Sequence, residues 1–440
     1  MEDLLKCPVF RPGDEGYDDE RAGFQALARH RPDVIVGATD AADVSAAVTM
    51  AAANGLPVAV QATGHGMPMA ADGGLLISTR RMTGVRIDPE TATARIEAGV
   101  RWSRVIEAAA RHGLAPLSGS APSVGAVSYT LGGGLGLMAR RYGYAVDQVR
   151  AIEVVTADGV LREVTAATEP DLFWALLGGR GNFGVVTALE IGLVPVTGLY
   201  GGGLFFDLAA TDVVRRWAEW TRDLPEEMTS SIAVIPFPEA PQVPEVFRGR
   251  RVGHVRIAYT GGQEEGERLL EPLRAIGPRL VDSVKELPYT ESGSIHNDPA
   301  EPMAYYATHS LLRELPARAV DALLETERAI LEIRHLGGAL DKPGLGPVVN
   351  HDAQYQVGVL SRLAPGGDPG EVRPLHDGVR AALSPWDTGG RGLNFLYGEN
   401  TAPDQVRLAY DPDDYRRLAA LKTVWDAGNL FRLNANIPPA

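Results

Sequence analysis

The chain has 440 residues, of which 45% are hydrophobic and 22% charged, a composition typical of a globular protein with enough length for two or three domains. Its formal net charge of −14 opposes binding to a nucleic-acid backbone or to an anionic membrane surface. The single cysteine, Cys7, excludes an internal disulfide and a cysteine-based metal site.

The N-terminal stretch MEDLLKCPVF has two acidic residues and no apolar run, so we expect no signal peptide. No apolar run approaches the roughly 18 residues of a membrane-spanning helix. We therefore predict a cytoplasmic protein, monomeric or homodimeric, with no metal and no nucleic-acid or membrane partner. Arginine outnumbers lysine, and alanine and glycine are abundant, which suggests a GC-rich bacterial genome.

The first predicted unit is β-α-β. Residues 32–39 form a buried strand, residues 40–55 a helix that Thr39 or Asp40 can cap and Gly55 can end, and residues 56–61 a second strand. This unit leads into QATGHG, residues 61–66, where a lone histidine stands between two glycines.

The next elements alternate between strands and helices. They are a strand at 73–79, a hairpin at 85–98, a helix at 102–113, a hairpin at 149–165 with an Asp158-Gly159 turn, a helix at 171–179 and a strand at 184–196. Residues 116–143 are rich in small side chains and lack periodicity. Such a segment buries little surface of its own, so we expect another group to pack on it.

After about residue 200, strand-like runs alternate with amphipathic helices near 211–222, 262–275, 316–333 and 371–383. This pattern predicts an α+β domain with an antiparallel sheet. The stretches 342–347 and 364–370 are predicted surface loops. We expect residues 1–198 to form one domain of two lobes, 199–400 a substrate-binding domain, and 401–440 a C-terminal segment that returns to the first domain.

The segment GRGNFG, residues 179–184, matches the G-x-G-x-x-G pattern but not its context. A dinucleotide fingerprint has a strand before it and a helix after it, whereas here a helix precedes and a strand follows. We therefore reject a Rossmann site. Residues 61–66 and 118–125 are better candidates for a phosphate-binding site, because their small side chains let backbone N–H groups converge on a pyrophosphate.

Taken together, these segments resemble the FAD-linked oxidases of the vanillyl-alcohol-oxidase and p-cresol-methylhydroxylase superfamily, in the berberine-bridge-enzyme-like branch. QATGH resembles the family's R-S-G-G-H loop, and Gly119 to Gly136 resemble its G-x-C-P-x-V-G element. GGRGNFGVVTALEIGLVPV and NLFRLNANIPP match two further landmarks. The resemblance implies a two-lobed FAD-binding domain of the p-cresol-methylhydroxylase type and a substrate domain with an antiparallel sheet backed by helices.

By this resemblance, His65 binds the 8α-methyl carbon of FAD covalently. The other implied FAD contacts lie in the same motifs and at the C-terminus: Ala62, Thr63, Gly64, Gly66, Ser118, Gly119, Ser123, Val124, Gly125, Tyr129, Gly181, Gly184, Val185, Asn434 and Asn436. A hydrogen-bonding histidine in a turn and a capped C-terminal coil are the purely structural alternatives.

The chain departs from the family pattern at three places. Ala121 replaces the second attachment cysteine, so linkage through His65 alone is implied. Tyr129 replaces a histidine, and its hydroxyl can either donate to the flavin or only pack beneath it. Gln61 replaces an arginine and removes a charge near the pyrophosphate. Val124 occupies a position where valine accompanies oxidases, which implies dioxygen as the electron acceptor and hydrogen peroxide as product.

In the family, the proton acceptor sits on the antiparallel sheet that faces the flavin. The segments 350–360 and 391–400 fit that place and provide His351, Tyr355, Asn394 and Tyr397. We predict Tyr397 first and Tyr129 second. The resemblance implies oxidation of an alcohol, hemiacetal or related C–H of a natural product or sugar, as in secondary-metabolite tailoring. A flavin dehydrogenase with another acceptor, an oxidative cyclase and a redox-silent flavin-binding protein remain alternatives.

Overall fold

A computed structural model of the chain describes residues 5–67, 69–348 and 351–440. The beginning of the N-terminal stretch and Asn350 of the predicted strand 350–360 lie outside these residues. Three β-sheets follow one another along the sequence. The combination of helices with mostly antiparallel sheets confirms the expected α+β class.

The first sheet has four strands in the order β1-β2-β4-β3. They are β1 (Val9–Phe10), β2 (Val34–Gly37), β3 (Val58–Gln61) and β4 (Leu75–Ser78). β4 lies between β2 and β3 and pairs in parallel with both. The two strands of the predicted β-α-β unit are β2 and β3. Between β2 and β3 runs α2 (Ala41–Asn54), whose first turn is capped by the Asp40 carboxylate and which ends at Gly55 in the left-handed conformation. α1 (Tyr17–Arg21) precedes β2.

The second sheet is antiparallel, with strand order β5-β6-β9-β7-β8. Its strands are β5 (Val85–Asp88), β6 (Thr93–Glu97), β7 (Val149–Val155), β8 (Leu161–Val164) and β9 (Val185–Gly192). The accompanying helices are α3 (Trp102–Ala110), α4 (Ala126–Leu131), α5 (Ala139–Tyr142) and α6 (Pro170–Leu176). The predicted small-residue segment therefore contains two short helices joined by glycines.

The third sheet has eight strands in the order β13-β10-β12-β11-β16-β17-β15, and β14 also pairs with β10. The strands are β10 (Gly198–Asp207), β11 (Met228–Pro236), β12 (Arg251–Tyr259), β13 (Val281–Asp282), β14 (Lys285–Pro288), β15 (Tyr305–Leu312), β16 (Ile330–His335) and β17 (Tyr355–Arg362). All of its strand pairs are antiparallel.

Four helices cover one face of the third sheet and form a core with it. They are α7 (Val213–Trp220), α8 (Gln263–Arg274), α9 (Ala317–Leu324) and α10 (Arg373–Leu383). Two more, α11 (Pro403–Arg407) and α12 (Pro412–Trp425), precede the C-terminal coil and pack on the core of the second sheet. The division at residues 198 and 400 stays a prediction.

The predicted helix at 316–333 is wrong beyond Leu324. Residues 330–335 form β16, in which Leu331 and Ile333 are buried against the helices while Glu332 and Arg334 point to the opposite face. This alternation has period two, which is a strand pattern and not a helical one. The correction places two charged side chains on the face that the helices leave open.

In the described part of the chain, no helix combines the length and the apolar character needed to cross a membrane.

Candidate active site

The His65 loop follows directly from β3. Gly64 has φ +70°, and a Cβ at this position would stand 2.5 Å from Gly23 Cα. Only glycine meets both conditions, because other L-residues disfavour this conformation and the neighbouring backbone leaves no room. The sharp turn directs the imidazole of His65 away from the strand and towards the second loop.

Three side chains fix the imidazole of His65. Its Nδ1 lies 2.9 Å from Thr63 Oγ1 and its Nε2 lies 3.2 Å from Ser123 Oγ. Phe24 stacks on one ring face, with centroids 4.0 Å apart and an interplanar angle of 8°. Thr63 Oγ1 also accepts the Gly125 N–H at 3.2 Å, so the two predicted loops are joined at this histidine.

Burial, and then repulsion from Arg101, lower the pKa of His65 to about 4. The imidazole is therefore neutral at physiological pH. A neutral ring has a nitrogen lone pair available for bonding, which a protonated ring lacks.

The second loop, residues 118–125, leads into α4. Ser118 lies 2.9 Å from the Tyr289 hydroxyl, and a Cβ on Gly119 would stand 2.9 Å from the Tyr129 ring. The Val124 carbonyl accepts the Trp102 N–H at the start of α3. These contacts hold the loop from both ends, so its backbone is pre-organised.

Tyr129 projects from α4 into the core, where its ring meets Trp102 edge-on at 5.6 Å. Its hydroxyl is buried and has no hydrogen-bond partner among the described residues. Burial raises the pKa of Tyr129, so the phenol keeps its proton. An unsatisfied buried donor is costly, which indicates that a ligand completes its bonding.

The GRGNFG segment forms the third loop, after α6 and before β9, as the sequence predicts. Gly184, at φ +158°, has no room for a side chain, because a Cβ would stand 2.6 Å from Val155 O. Val185 begins β9 and packs in the core of the first sheet. The position of a Cβ on Gly181 is 3.8 Å from Asn434 Nδ2, which brings the C-terminal coil to this loop.

We call residues 61–66, 118–125 and 179–184 the loop cradle. Arg180 is its unusual member, since it is a non-glycine residue at φ 53°. Its guanidinium donates to Gly66 O at 3.3 Å and to the carbonyls of Leu393 and Leu396 at 3.2 and 3.4 Å. The strained arginine thus ties the His65 loop to segment 391–400.

A buried ion pair holds the C-terminal coil against the cradle. Lys422 and Asp426 are 2.6 Å apart with side chains 0% and 1% exposed, and Lys422 also donates to Asn182 O. Asp426 accepts the backbone N–H groups of Leu430 and Phe431. The coil that follows contains Asn434 and Asn436.

The residues present fit the FAD that the resemblance implies. Asn434 Oδ1 and Asn436 Oδ1, like the Tyr129 hydroxyl, are buried and lack a partner in the described part of the chain. They converge with loops in which a Cβ would collide with backbone. At Gly66 and Gly181 a Cβ would meet nothing closer than 3.7 Å, so the cradle leaves open space beside the unsatisfied polar atoms that a dinucleotide needs. No cluster of three or more His, Cys, Asp or Glu side chains among the described residues is arranged to hold a metal ion.

The open side of the third sheet, opposite the helices, is the second part of the site. Register places Arg256, Ser231, Arg334 and Gln356 in one cross-strand row. The adjacent row contains Glu332. We call this surface the sheet face; it is the only part of the site that carries several charges within the described residues.

Glu332 lies between two arginines on the sheet face. It accepts from Arg256 Nη1 and, at 2.9 Å, from Arg334 Nε. Burial by itself would raise the pKa of Glu332, but Arg334 and Arg256 outweigh it and lower that pKa. The carboxylate is therefore ionised.

Tyr397 lies at the junction of the sheet face and the cradle. Its ring meets Tyr305 edge-on at 5.8 Å, and the Tyr305 hydroxyl donates to His65 O at 3.4 Å. Burial, then Tyr305 and Glu332, raise the pKa of Tyr397 well above its ordinary value. Its phenol stays protonated, which opposes the predicted role as a resting base.

Two predicted catalytic residues lie elsewhere. Tyr355 projects to the helix-covered side, where its hydroxyl lies 2.8 Å from Thr221 Oγ1 and its ring packs on Trp217. This position corrects the expectation, because Tyr355 cannot reach the cleft. His351 Nδ1 bonds Leu340 O at 2.8 Å, and no described contact connects it to His65. Asn394 instead donates to Tyr129 O at 2.8 Å.

Sequence reasoning missed Arg180, Arg256, Glu332 and Arg334. Arg180 was inside a motif considered only for its glycines. The period-two alternation of residues 330–335 was the signal for Glu332 and Arg334, but it was assigned to a helix.

Two protein families match the chain: the FAD binding domain family over residues 32–165 and the berberine and berberine-like family over residues 396–438. The chain is 30% identical to (R)-6-hydroxynicotine oxidase of Paenarthrobacter nicotinovorans, over 100% of this chain and 99% of that protein. Among solved structures, 6-hydroxy-D-nicotine oxidase of Arthrobacter nicotinovorans is 26% identical with a TM-score of 0.85, covering 99% of this chain and 98% of that one. A chitooligosaccharide oxidase shares the fold, with 22% identity, a TM-score of 0.84 and coverage of 99% and 98%.

Proposed function

The chain belongs to the berberine-like family of FAD-linked oxidoreductases, and we propose that His65 attaches the FAD covalently, as the only linkage. We further propose a bacterial oxidase that acts on an alcohol, hemiacetal or related C–H group of a natural product or sugar, in secondary metabolism. Dioxygen is the proposed acceptor and hydrogen peroxide the product.

The setting of His65 is the observation that carries the proposal. The imidazole is neutral, its orientation is fixed by Phe24, and both of its nitrogens face hydroxyls at the junction of two cradle loops. A nitrogen lone pair held in one direction is suited to bond a carbon of a ligand that lies in the cradle. Ala121 offers no thiol for a second bond.

Bound FAD supplies the acceptor for the two electrons and the hydrogen of the substrate C–H bond. The chain's own residues bind the FAD and orient it. Tyr129 donates its phenolic proton in a hydrogen bond to an acceptor atom of the ligand, and Asn434 and Asn436 offer amide oxygens to ligand hydroxyls. Arg180 holds segment 391–400 against the His65 loop.

Tyr397 is proposed to contact the reacting group of the substrate. Because its phenol stays protonated, it acts first as a hydrogen-bond donor to the substrate oxygen or nitrogen. The ionised Glu332 beside it favours a substrate proton pointing towards the sheet face. Val124, in the second loop of the cradle, supports dioxygen as the acceptor. The relative with 30% identity, an oxidase by name, supports the same acceptor.

Acid precipitation of the purified protein tests the attachment. The wild-type pellet is expected to be yellow, and the intact mass to exceed the polypeptide mass by one FAD less two hydrogens, because the new N–C bond replaces an N–H and a C–H bond and dioxygen takes up the two electrons. His65→Ala removes both signs, whereas the matched control His351→Ala keeps them, because His351 lies outside the cleft. A colourless wild-type pellet would contradict the covalent proposal.

A second measurement separates the two acceptors. An oxidase releases hydrogen peroxide in stoichiometric amount with the oxidised substrate, whereas a dehydrogenase of the same fold needs an added dye or protein acceptor. Absence of peroxide in air, together with activity on a dye, would favour the dehydrogenase alternative.

A further inference from the structure

A cavity lies between residues 135–139 and the sheet face. Its wall is formed by the 135–139 segment, by residues of β11, β12 and β16, and by Ile295 and His296. Gly136 links the cavity to the cradle, since a Cβ on Gly136 would stand 3.3 Å from the Tyr129 hydroxyl. A substrate that reaches the cradle can therefore extend into this space.

The charged side chains that line the cavity are cationic. Arg256 and Arg334 both contribute to its wall, and none of the described lining residues is an aspartate or a glutamate. Glu332 pairs with both arginines but offsets only one positive charge. Asp298 is exposed at the rim, where it accepts from Ser120 Oγ at 2.6 Å; it helps to raise the pKa of Arg334, but less than Glu332 does, because water and salt screen its charge.

Arg256 retains bonding capacity towards the cavity. It is 7% exposed, and its Nε is buried with no partner in the part of the chain that the structure describes. Gly203 and Ser231 are its neighbours in the cross-strand row. The space over Gly203 is filled by the His254 ring, so only the small Ser231 leaves space beside the guanidinium for a ligand.

His335 supplies a donor whose tautomer the structure determines. Its Nε2 lies 3.1 Å from Arg140 Nη1, and a guanidinium can only donate, so Nε2 accepts. Burial, and then Arg140, lower the pKa of His335 to about 3, so the ring is neutral and its proton is on Nδ1. That nitrogen is buried and lacks a described partner, but the ring stacks on Tyr355 and shares its side of the sheet, so it is not counted among the donors of the sheet face.

Two hydroxyls complete the lining. Thr229 Oγ1 and Ser231 Oγ are buried and have no bonding partner among residues 5–67, 69–348 and 351–440. With Arg256 Nε, three side-chain groups on the sheet face are able to donate towards one cavity. These donors match an oxygen acceptor on a ligand. The positive charge that Glu332 leaves unbalanced favours an acceptor that is negatively charged.

We propose that this cavity binds a carboxylate group of the substrate, with Arg256 as its principal partner. The proposal rests on the proposed oxidase function, because it assigns the substrate class of that site. A single excess positive charge matches a monoanion, and the planar guanidinium fork matches the two oxygens of a carboxylate.

The test compares phenylacetate with phenylacetamide, which have the same shape but differ in charge, on the FAD-loaded enzyme. Binding is measured by calorimetry and by perturbation of the flavin absorption. We expect phenylacetate to bind at least tenfold more tightly, and Arg256→Gln to weaken phenylacetate at least tenfold while leaving phenylacetamide within twofold.

Two further variants guard against a misfolded Arg256→Gln. Thr229→Val, which is isosteric, is expected to weaken phenylacetate three- to tenfold. Arg251→Gln, on the same strand, is the matched control and is expected to leave phenylacetate binding unchanged, since Arg251 bonds the carbonyls of Leu324 and Thr326 outside the cavity.

Equal affinity for the two probes, or phenylacetate binding unaffected by both Arg256→Gln and Thr229→Val, would overturn the proposal. Failure of the oxidase function is a separate result: the acid pellet would be colourless or no peroxide would form, even if the carboxylate bound selectively. A yellow, peroxide-forming enzyme with no preference for the anion would refute the carboxylate site alone.

Discussion

The loop cradle and the sheet face differ in the groups that they offer to a ligand. The cradle is built from consecutive loop residues, mostly glycine and small hydroxyl side chains, and bonds mainly through backbone held in fixed turns. The sheet face collects Arg256, Glu332 and Arg334 from strands that are far apart in sequence. The first arrangement suits a large invariant ligand, and the second suits a variable one, because single side-chain changes alter its charge.

The largest effect is expected where the cradle is anchored. Lys422→Met leaves Asp426 buried without its cation, and removal of one partner from such a pair costs about 3–5 kcal/mol. We expect the free energy of unfolding in urea to fall by that amount and FAD content to fall with it. Arg416→Met, which breaks an exposed ion pair on the same helix, is the control and should change neither quantity. A loss below about 1 kcal/mol for Lys422→Met would show that the C-terminal anchor is not essential to the cradle.

The same comparison explains which parts of the site could be predicted. His65, Thr63 and Gly64 are neighbours in sequence, so a local pattern is sufficient to find them. Glu332 and Arg334 become part of a site only through register with β11 and β17, which no local pattern contains.

Side-chain parity limits prediction in a similar way. Tyr355 and Gln356 are adjacent, yet one faces the helices and the other the cleft. A strand assignment alone gives the alternation but not which parity is buried, so the prediction chose the wrong member. The fold class was accessible, because it depends on the order of helices and strands and not on side-chain direction.

Strain in the cradle gives the next effect. Gly64→Ala places a side chain in the left-handed region, at about 1–2 kcal/mol, and against Gly23, which adds about 1–3 kcal/mol of overpacking. Gly55→Ala has a similar φ of +66° but nothing within 4 Å of the new Cβ. Gly55→Ala should therefore show only the cost of the left-handed conformation, about 1–2 kcal/mol of unfolding free energy. Equal unfolding free energies for the two variants would contradict the close approach of Gly23 and Gly64.

The buried His335, at the end of β16, predicts a pH dependence of stability. Burial lowers the pKa of His335 to about 3, whereas an unfolded histidine titrates near 6.5. Between these values the unfolded chain binds more protons, so this stability is present above pH 6.5 and is lost as the pH falls towards 3. His335→Gln should reduce the slope of unfolding free energy between pH 6 and 4.5 by up to about 1.4 kcal/mol per pH unit. The exposed His112→Gln is the control; a slope unchanged in His335→Gln would mean that His335 is not neutral and buried.

The smallest effect separates a hydroxyl that waits for a ligand from one that is already bonded. Tyr289 has its hydroxyl 2.9 Å from Ser118 Oγ and donates to Pro116 O at 3.0 Å, whereas the Tyr129 hydroxyl has no described partner. In His65→Ala protein without added FAD, Tyr289→Phe should therefore lose about 1 kcal/mol, and Tyr129→Phe should be neutral or more stable. In the FAD-loaded enzyme the order changes, because Tyr129→Phe then also loses a bond to the ligand. If Tyr129→Phe is equally destabilising with and without FAD, its hydroxyl serves the core of the protein and not the cradle.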